Sequence, residues 1–173
     1  MFLELIATFA IGFAVAGVIL LVNRLSGSRL PGWFLPVGAG IGMLCFIIFN
    51  EYTWFQRTSA ALPTGIEVAY TVEEKAAYRP WTYLWPYVDR FIAVDGISLK
   101  RNEKFPDQRI VDLLIYGRWA PVNRVRAVFD CTAGRRADLT EGVEFAEDGS
   151  LKNAYWHITG LKDPVTQAAC KVG

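Results

Sequence analysis

The sequence holds one histidine, His157, three cysteines and almost no charge before Asn50. Each scarcity removes a class of chemistry. With one histidine, a histidine-based metal centre needs cysteines or carboxylates for its other ligands, and no local ligand spacing supplies them. The dithiol redox pattern Cys-x-x-Cys is missing. So is the Gly-x-Ser-x-Gly elbow of serine hydrolases. Up to Asn50 the ionisable side chains are Glu4, Arg24 and Arg29, and the rest of the chain carries 16 of the 18 Lys and Arg and 16 of the 17 Asp and Glu. That remainder is neutral and offers no clustered basic face, so nucleic acid is not an expected partner.

What the first fifty residues do have is apolar length. Phe2 to Val22 is interrupted only by Glu4, and at helical rise it matches a hydrocarbon layer of about 30 Å. It reads as a spanning helix rather than a cleaved signal, since no basic residue precedes Leu3 and the run exceeds a signal core. A second span over 33–50 extends through Tyr52, Trp54 and Phe55 into an aromatic belt. Pro36 falls in its first turn, where a missing N–H costs least. The loop Asn23 to Gly32 holds Arg24 and Arg29 and no acid. The positive-inside tendency places that loop in the cytoplasm and both termini outside. Residues 1–57 are therefore expected to form a transmembrane helical hairpin in a bacterial inner membrane, in contact with its lipids, with 58–173 on the periplasmic side.

Small residues recur at four-residue spacing: Gly12 and Ala16 in the first span, Gly38 and Gly42 in the second. Such spacing lets helix backbones approach closely. It serves either the hairpin packing on itself or a docking face for other membrane subunits. The run Gly38-Ala39-Gly40-Ile41-Gly42 is not a dinucleotide loop, because it neither follows a strand nor opens a soluble βαβ unit. Cys45, in the same span, is most simply a small apolar residue.

Past a short polar tether, two Asp-Gly pairs, Asp95-Gly96 and Asp148-Gly149, stand between β-prone segments and predict two hairpins. Further strands are expected at 66–72, 109–116, 122–131 and 155–158. In 122–131, Val125, Ala127, Phe129 and Cys131 share one face, while Arg124, Arg126 and Asp130 share the other. The tail opens with Asp163 then Pro164, the order of a helix start, and predicts a short helix to Lys171. Cys170 near its end and Cys131 on the strand favour a structural disulfide in an exported domain.

The remaining chemistry is thin. His157 beside Trp156 reads as an ordinary strand position. Glu73-Glu74 and Glu144-Glu147-Asp148 stand beside turns, where acids face water. Arg135-Arg136 after Gly134 reads as a solvated turn, with anion binding as the alternative. The unusual stretch is aromatic: Tyr78, Trp81, Tyr83, Trp85, Tyr87 and Phe91, broken by Pro80 and Pro86. It makes either a rigid amphipathic surface, resting at the headgroup level or against a partner, or the core of a small sheet.

Phe129-Asp130-Cys131 at a strand end, Arg135 and Arg136, Asp148-Gly149, Trp156 and Cys170 give the C-terminal third a pattern that resembles the surface-adhesin protein E type of small exported domains. The resemblance implies an antiparallel sheet carrying a terminal helix, with Cys131 and Cys170 paired. That family is typically lipid-anchored through an N-terminal cysteine, in place of which this chain has two helices. The expected class is thus a membrane-anchored α+β protein, a helical hairpin followed by a small antiparallel β domain with a C-terminal helix. The expected function is a non-catalytic accessory subunit docked on an integral membrane protein, without cofactor. The alternative is a membrane-anchored binding module for a lipid, peptide or envelope ligand.

Overall fold

The computed structural model describes residues 2–102, 104–139, 143–146 and 150–171. The chain divides into two compact units, Met1–Gln56 and Arg57–Gly173.

In the first unit, α1 (Phe2–Leu25) and α2 (Phe34–Ala60) are both long and apolar enough to cross a membrane. The end of α1 is set locally. Gly27 takes a left-handed φ of 72°, Ser28 donates its N–H to the Asn23 carbonyl at 2.7 Å, and Gly27 donates to Arg24. This is the capping arrangement a glycine after the last turn permits. Asn23 Oδ1 then accepts the Leu30 N–H at 2.9 Å and holds the connection.

The glycines of the four-residue pattern face the opposite helix. A Cβ on Gly12 would fall on Met43, one on Gly38 on Ile19, and one on Gly42 within 2.7 Å of Val15. Ala16 lies half-buried on the same helix as Gly12. Gly17 and Gly40 have nothing against them. Close approach at three glycines gives the two helices packing contacts that lipid would not otherwise favour. Substituting isoleucine at Gly42 is expected to cost about 1–3 kcal/mol by overpacking against Val15. Thermal loss of the helical circular dichroism signal in mild detergent measures it, and an unchanged midpoint would show that the helices do not pack there.

The second unit is an antiparallel meander. Strands β1 (Ile66–Glu74), β2 (Tyr87–Arg101), β3 (Gln108–Gly117), β4 (Asn123–Asp130), β5 (Arg135–Asp138) and β8 (Trp156–Ile158) form one sheet in that order. A separate ribbon pairs β6 (Glu144–Phe145) with β7 (Leu151–Lys152), flanking the second expected hairpin. Its turn residues Glu147, Asp148 and Gly149 lie outside the described residues. Helix α3 (Pro164–Lys171) starts as capping chemistry dictates: Asp163 Oδ2 accepts the Thr166 N–H at 2.8 Å and its hydroxyl at 2.9 Å. Its Val165 and Ala169 pack on one sheet face with Val94, Val111, Leu113, Ala127 and Phe129. The Cys131–Cys170 disulfide joins the end of β4 to this helix across a separation of 39 residues.

The structure corrects two expectations. Asp95-Gly96 is not a hairpin turn, because β2 runs through it as a single strand of 15 residues. The Asp95 carboxylate accepts the Ile97 N–H, and the Ser98 hydroxyl donates to the Asp95 carbonyl while accepting the Asp112 N–H at 2.9 Å. These bonds absorb the extra residues as a bulge, and pairing with β3 resumes at Lys100. The chain reverses later, where Asn102 meets Gln108 by backbone and side-chain hydrogen bonds. Second, Arg135 and Arg136 are in β5 rather than a solvated turn. The turn before them is closed by Asp130, whose Oδ1 accepts the N–H groups of Thr132 and Ala133.

Candidate functional site

The connection between β1 and β2 carries the aromatic stretch. Ala76 and Thr82 are buried at its base. The Thr82 hydroxyl accepts the Ala76 N–H at 2.9 Å and donates to the Arg79 carbonyl at 2.7 Å, tying the segment across its own width. Pro80 opens a 3-10 turn over Pro80–Tyr83, and the N–H groups of Leu84 and Trp85 both reach the Trp81 carbonyl. A proline at the first helical position costs no hydrogen bond, since that N–H has no intrahelical acceptor. The result divides the aromatics. Tyr78, Tyr83, Leu84 and Trp85 are 75, 58, 73 and 66% exposed, whereas Tyr87 is 5% and Phe91 0% exposed. Trp81 is half-buried. Tyr87, grouped with the surface candidates from sequence, is thus an interior residue. Phe91 stacks on Tyr116 with ring centroids 4.7 Å apart.

The same end of the sheet bears a cavity of about 300 Å³, lined by Asp89, Arg90, Ile115, Arg118, Trp119 and Asn123 among others. Register places it there: Arg90 pairs with Gly117, and Val88 two residues earlier pairs with Glu73. The Arg118 guanidinium lies 4.5 Å over the Trp119 ring, its backbone N–H donates to the Asp89 carbonyl, and Arg90 Nε stands 3.2 Å from the Asp89 carboxylate. Nothing in the sequence reading singled out Trp119 or Arg118. The signal for them was an Arg-Trp pair ahead of Pro121, between the strands expected at 109–116 and 122–131.

The charged groups of the sheet are spent on structure. Asp112, buried at the centre of β3, takes two bonds from Arg126, 2.7 and 3.2 Å, with Arg124 at 3.8 Å. The hydrogen bond from Arg126 is the foremost cause that holds the Asp112 carboxyl below the usual carboxylate range; burial opposes it, and the charges of Arg126, Arg124 and Lys100 assist. For Asp130 burial is the largest single influence and works against ionisation. It is outweighed by the Ala133 N–H, the Arg135 guanidinium 2.9 Å away and the Thr132 N–H, so this carboxyl too titrates below its ordinary value. Arg135 also lies 4.7 Å over the Trp156 ring, and Arg136 pairs with Asp138 at 3.1 Å. The arginines weighed as an anion site are therefore engaged inside the domain.

Because both acids titrate lower folded than unfolded, their stabilisation is present above the ordinary carboxylate value of about 4 and is lost as pH falls through the folded values. Asp112→Asn is expected to lower stability at pH 7 by about 1–3 kcal/mol, the worth of charge-assisted hydrogen bonds. It should also reduce the loss seen between neutral and acid pH. Denaturant midpoints at pH 7 and pH 3 test this, and equal acid sensitivity in both proteins would be the contrary result.

His157 is exposed on β8, opposite Arg136 and edge-on to Tyr155 at 4.8 Å. Glu73 and Glu74 are exposed at the end of β1. Among the described residues no three of His, Cys, Asp and Glu stand close enough together to hold a metal ion. No family model, curated protein or solved structure matches the chain.

Proposed function

We propose that the chain is a non-catalytic accessory or assembly subunit of a bacterial inner-membrane protein complex, docking through its helix hairpin and its outer domain. The observation that carries this reading is the open edge of the sheet. Strand β8 is its last strand, Ile158 there is 89% exposed, and Tyr155 and Leu161 flank it in the open. A three-residue edge with exposed apolar side chains can accept a short strand of another chain, because a partner strand satisfies the outer ladder groups while covering the side chains. The outward apolar faces of α1 and α2, with Phe9, Phe13, Ile41 and Leu44 exposed, suit lipid and neighbouring helices alike. Arg24 and Arg29 between the spans support a cytoplasmic loop, and a disulfide in the second unit fits an oxidising compartment such as the periplasm.

Purification of the tagged full chain from native membranes in mild detergent is expected to bring down stoichiometric membrane subunits, and Ile158→Lys to reduce their recovery. A chain that elutes alone would count against the reading. The binding-module reading is favoured by the cavity beside Trp119, where an arginine-stacked ring and Asn123 line a space of small-ligand size. Native mass spectrometry of the same preparation separates the two, since a retained small molecule in place of subunits supports the module.

A further inference from the structure

We infer that the end of the β domain carrying Tyr78, Tyr83, Leu84 and Trp85 inserts into the lipid headgroup layer. The inference rests on the membrane-spanning reading of α1 and α2.

The first argument is reach. Helix α2 ends at Ala60 and β1 starts at Ile66. Five residues lie between them, and their six Cα steps span at most about 20 Å. The 27 residues of α2 make a helix of about 40 Å against hydrocarbon of about 30 Å, so its end projects roughly 10 Å. A domain of this length is about 35 Å across. The 76–85 connection follows the far end of β1, about 27 Å of strand from Ile66, so the domain brings that end to the headgroup layer with β1 lying along the membrane surface. What turns one surface toward the lipid is the relative cost of taking that surface out of water.

The second argument compares the two exposed apolar surfaces. Ile158 sits on an edge strand of three residues, with Tyr155 just before it, and the outer ladder groups of an edge are best met by an added strand. In the 76–85 segment part of the backbone is bonded internally: Arg79 N–H to Ala76, Thr82 N–H to Arg79, and Leu84 and Trp85 N–H to Trp81. Those groups need no partner from the interface, and the rest of the turn can bond to water and headgroups there. Its residue types are those of interfacial belts, with tyrosine and tryptophan rings that place an apolar body in lipid and a polar tip in water. Arg79 lies 5.2 Å over the Tyr78 ring and 5.7 Å over that of Tyr87, which fixes the segment on the sheet. Pro80 and the Thr82 bonds hold the turn in shape, so little ordering cost accompanies insertion. Trp119, half exposed at the same end, adds to the surface.

The test places one thiol-reactive environment-sensitive fluorophore at a time on the full chain in a Cys45→Ser background, with the disulfide oxidised. The sites are Leu84→Cys, Ile158→Cys and Ile41→Cys, all exposed residues, and the protein is held in phospholipid nanodiscs containing lipid nitroxides at the headgroup in one preparation, which reads positions 84 and 158, and along the acyl chain in another, which reads position 41. At position 84 quenching is expected to exceed that at 158 by about threefold or more, with the order reversed for aqueous iodide, as belongs to an interfacial residue. Position 84 left unquenched while 41 is quenched would overturn the inference and leave the spanning helices intact. If 41 also escapes quenching, the membrane-spanning reading fails and takes the inference with it. A position 84 that only native membranes shield from iodide, and nanodiscs do not, would assign the surface to a protein partner and overturn the lipid contact.

Discussion

Replacing Phe129 with alanine is expected to destabilise the β domain by about 3–5 kcal/mol, a cavity left by a large ring in a site that cannot collapse around it. Phe129 has no exposed surface and sits in the cluster of Val111, Ala127, Val165 and Ala169, where sheet and C-terminal helix meet. It also adjoins Asp130, which closes the β4–β5 turn, and Cys131, which anchors the helix. Loss of the ring therefore loosens a face, a turn and a tether together. Against a whole-domain stability of 5–15 kcal/mol for typical domains, a loss of about 4 leaves a marginal fold. Chemical denaturation of the full chain in detergent, followed through the disulfide-bonded domain's tryptophan signal, measures it. A loss below about 1 kcal/mol would place Phe129 outside the core.

Removing the disulfide is expected to have an effect of similar size. With Cys131 and Cys170 both changed to alanine, the separation of 39 residues no longer restricts the unfolded chain, which the chain-entropy model values at about 3–4 kcal/mol. For a domain of this size that corresponds to a fall of roughly 10–20 °C in unfolding midpoint. The consequence concentrates on α3. Eight residues are too few for a helix to persist without tertiary support. Its remaining hold is Val165 and Ala169 on the sheet and the Asp163 cap. Wild-type protein in strong reductant should melt with the double variant, and coincidence of both curves with that of the oxidised wild type would show the bridge to be dispensable.

Some of this architecture is legible residue by residue. The Asp163-Pro164 start of α3 and the existence of β4 were readable because each depends on backbone chemistry within one turn or one strand, but Val128 and Asp130, on the strand face expected to be wet, are buried. The glycine pattern of the hairpin was legible for a related reason: with a short loop, the described side chains nearest Gly12, Gly38 and Gly42 belong to the other helix. Asp95-Gly96 misled because the same dipeptide that permits reversal also permits a bulge. Which one forms depended on Ser98 finding the Asp112 N–H, 14 residues away. Strand β5 was missed because its charged residues read as wet. Its Arg135 and Arg136 are accommodated by Asp130, Asp138 and the Trp156 ring.

The aromatic stretch shows the division most plainly. Composition alone determined that a proline-broken, aromatic segment lies between two strands, and that two long apolar segments precede it. Only the tertiary structure decided that Tyr87 and Phe91 are buried while Tyr78, Tyr83, Leu84 and Trp85 face outward, and that the Asp112 carboxylate is buried beneath an exposed Arg126. Burial is a property of what stands opposite a residue in the sheet or across a turn. Those neighbours are brought in by register over tens of residues, whereas chain propensity and periodicity reach only a few residues along the backbone.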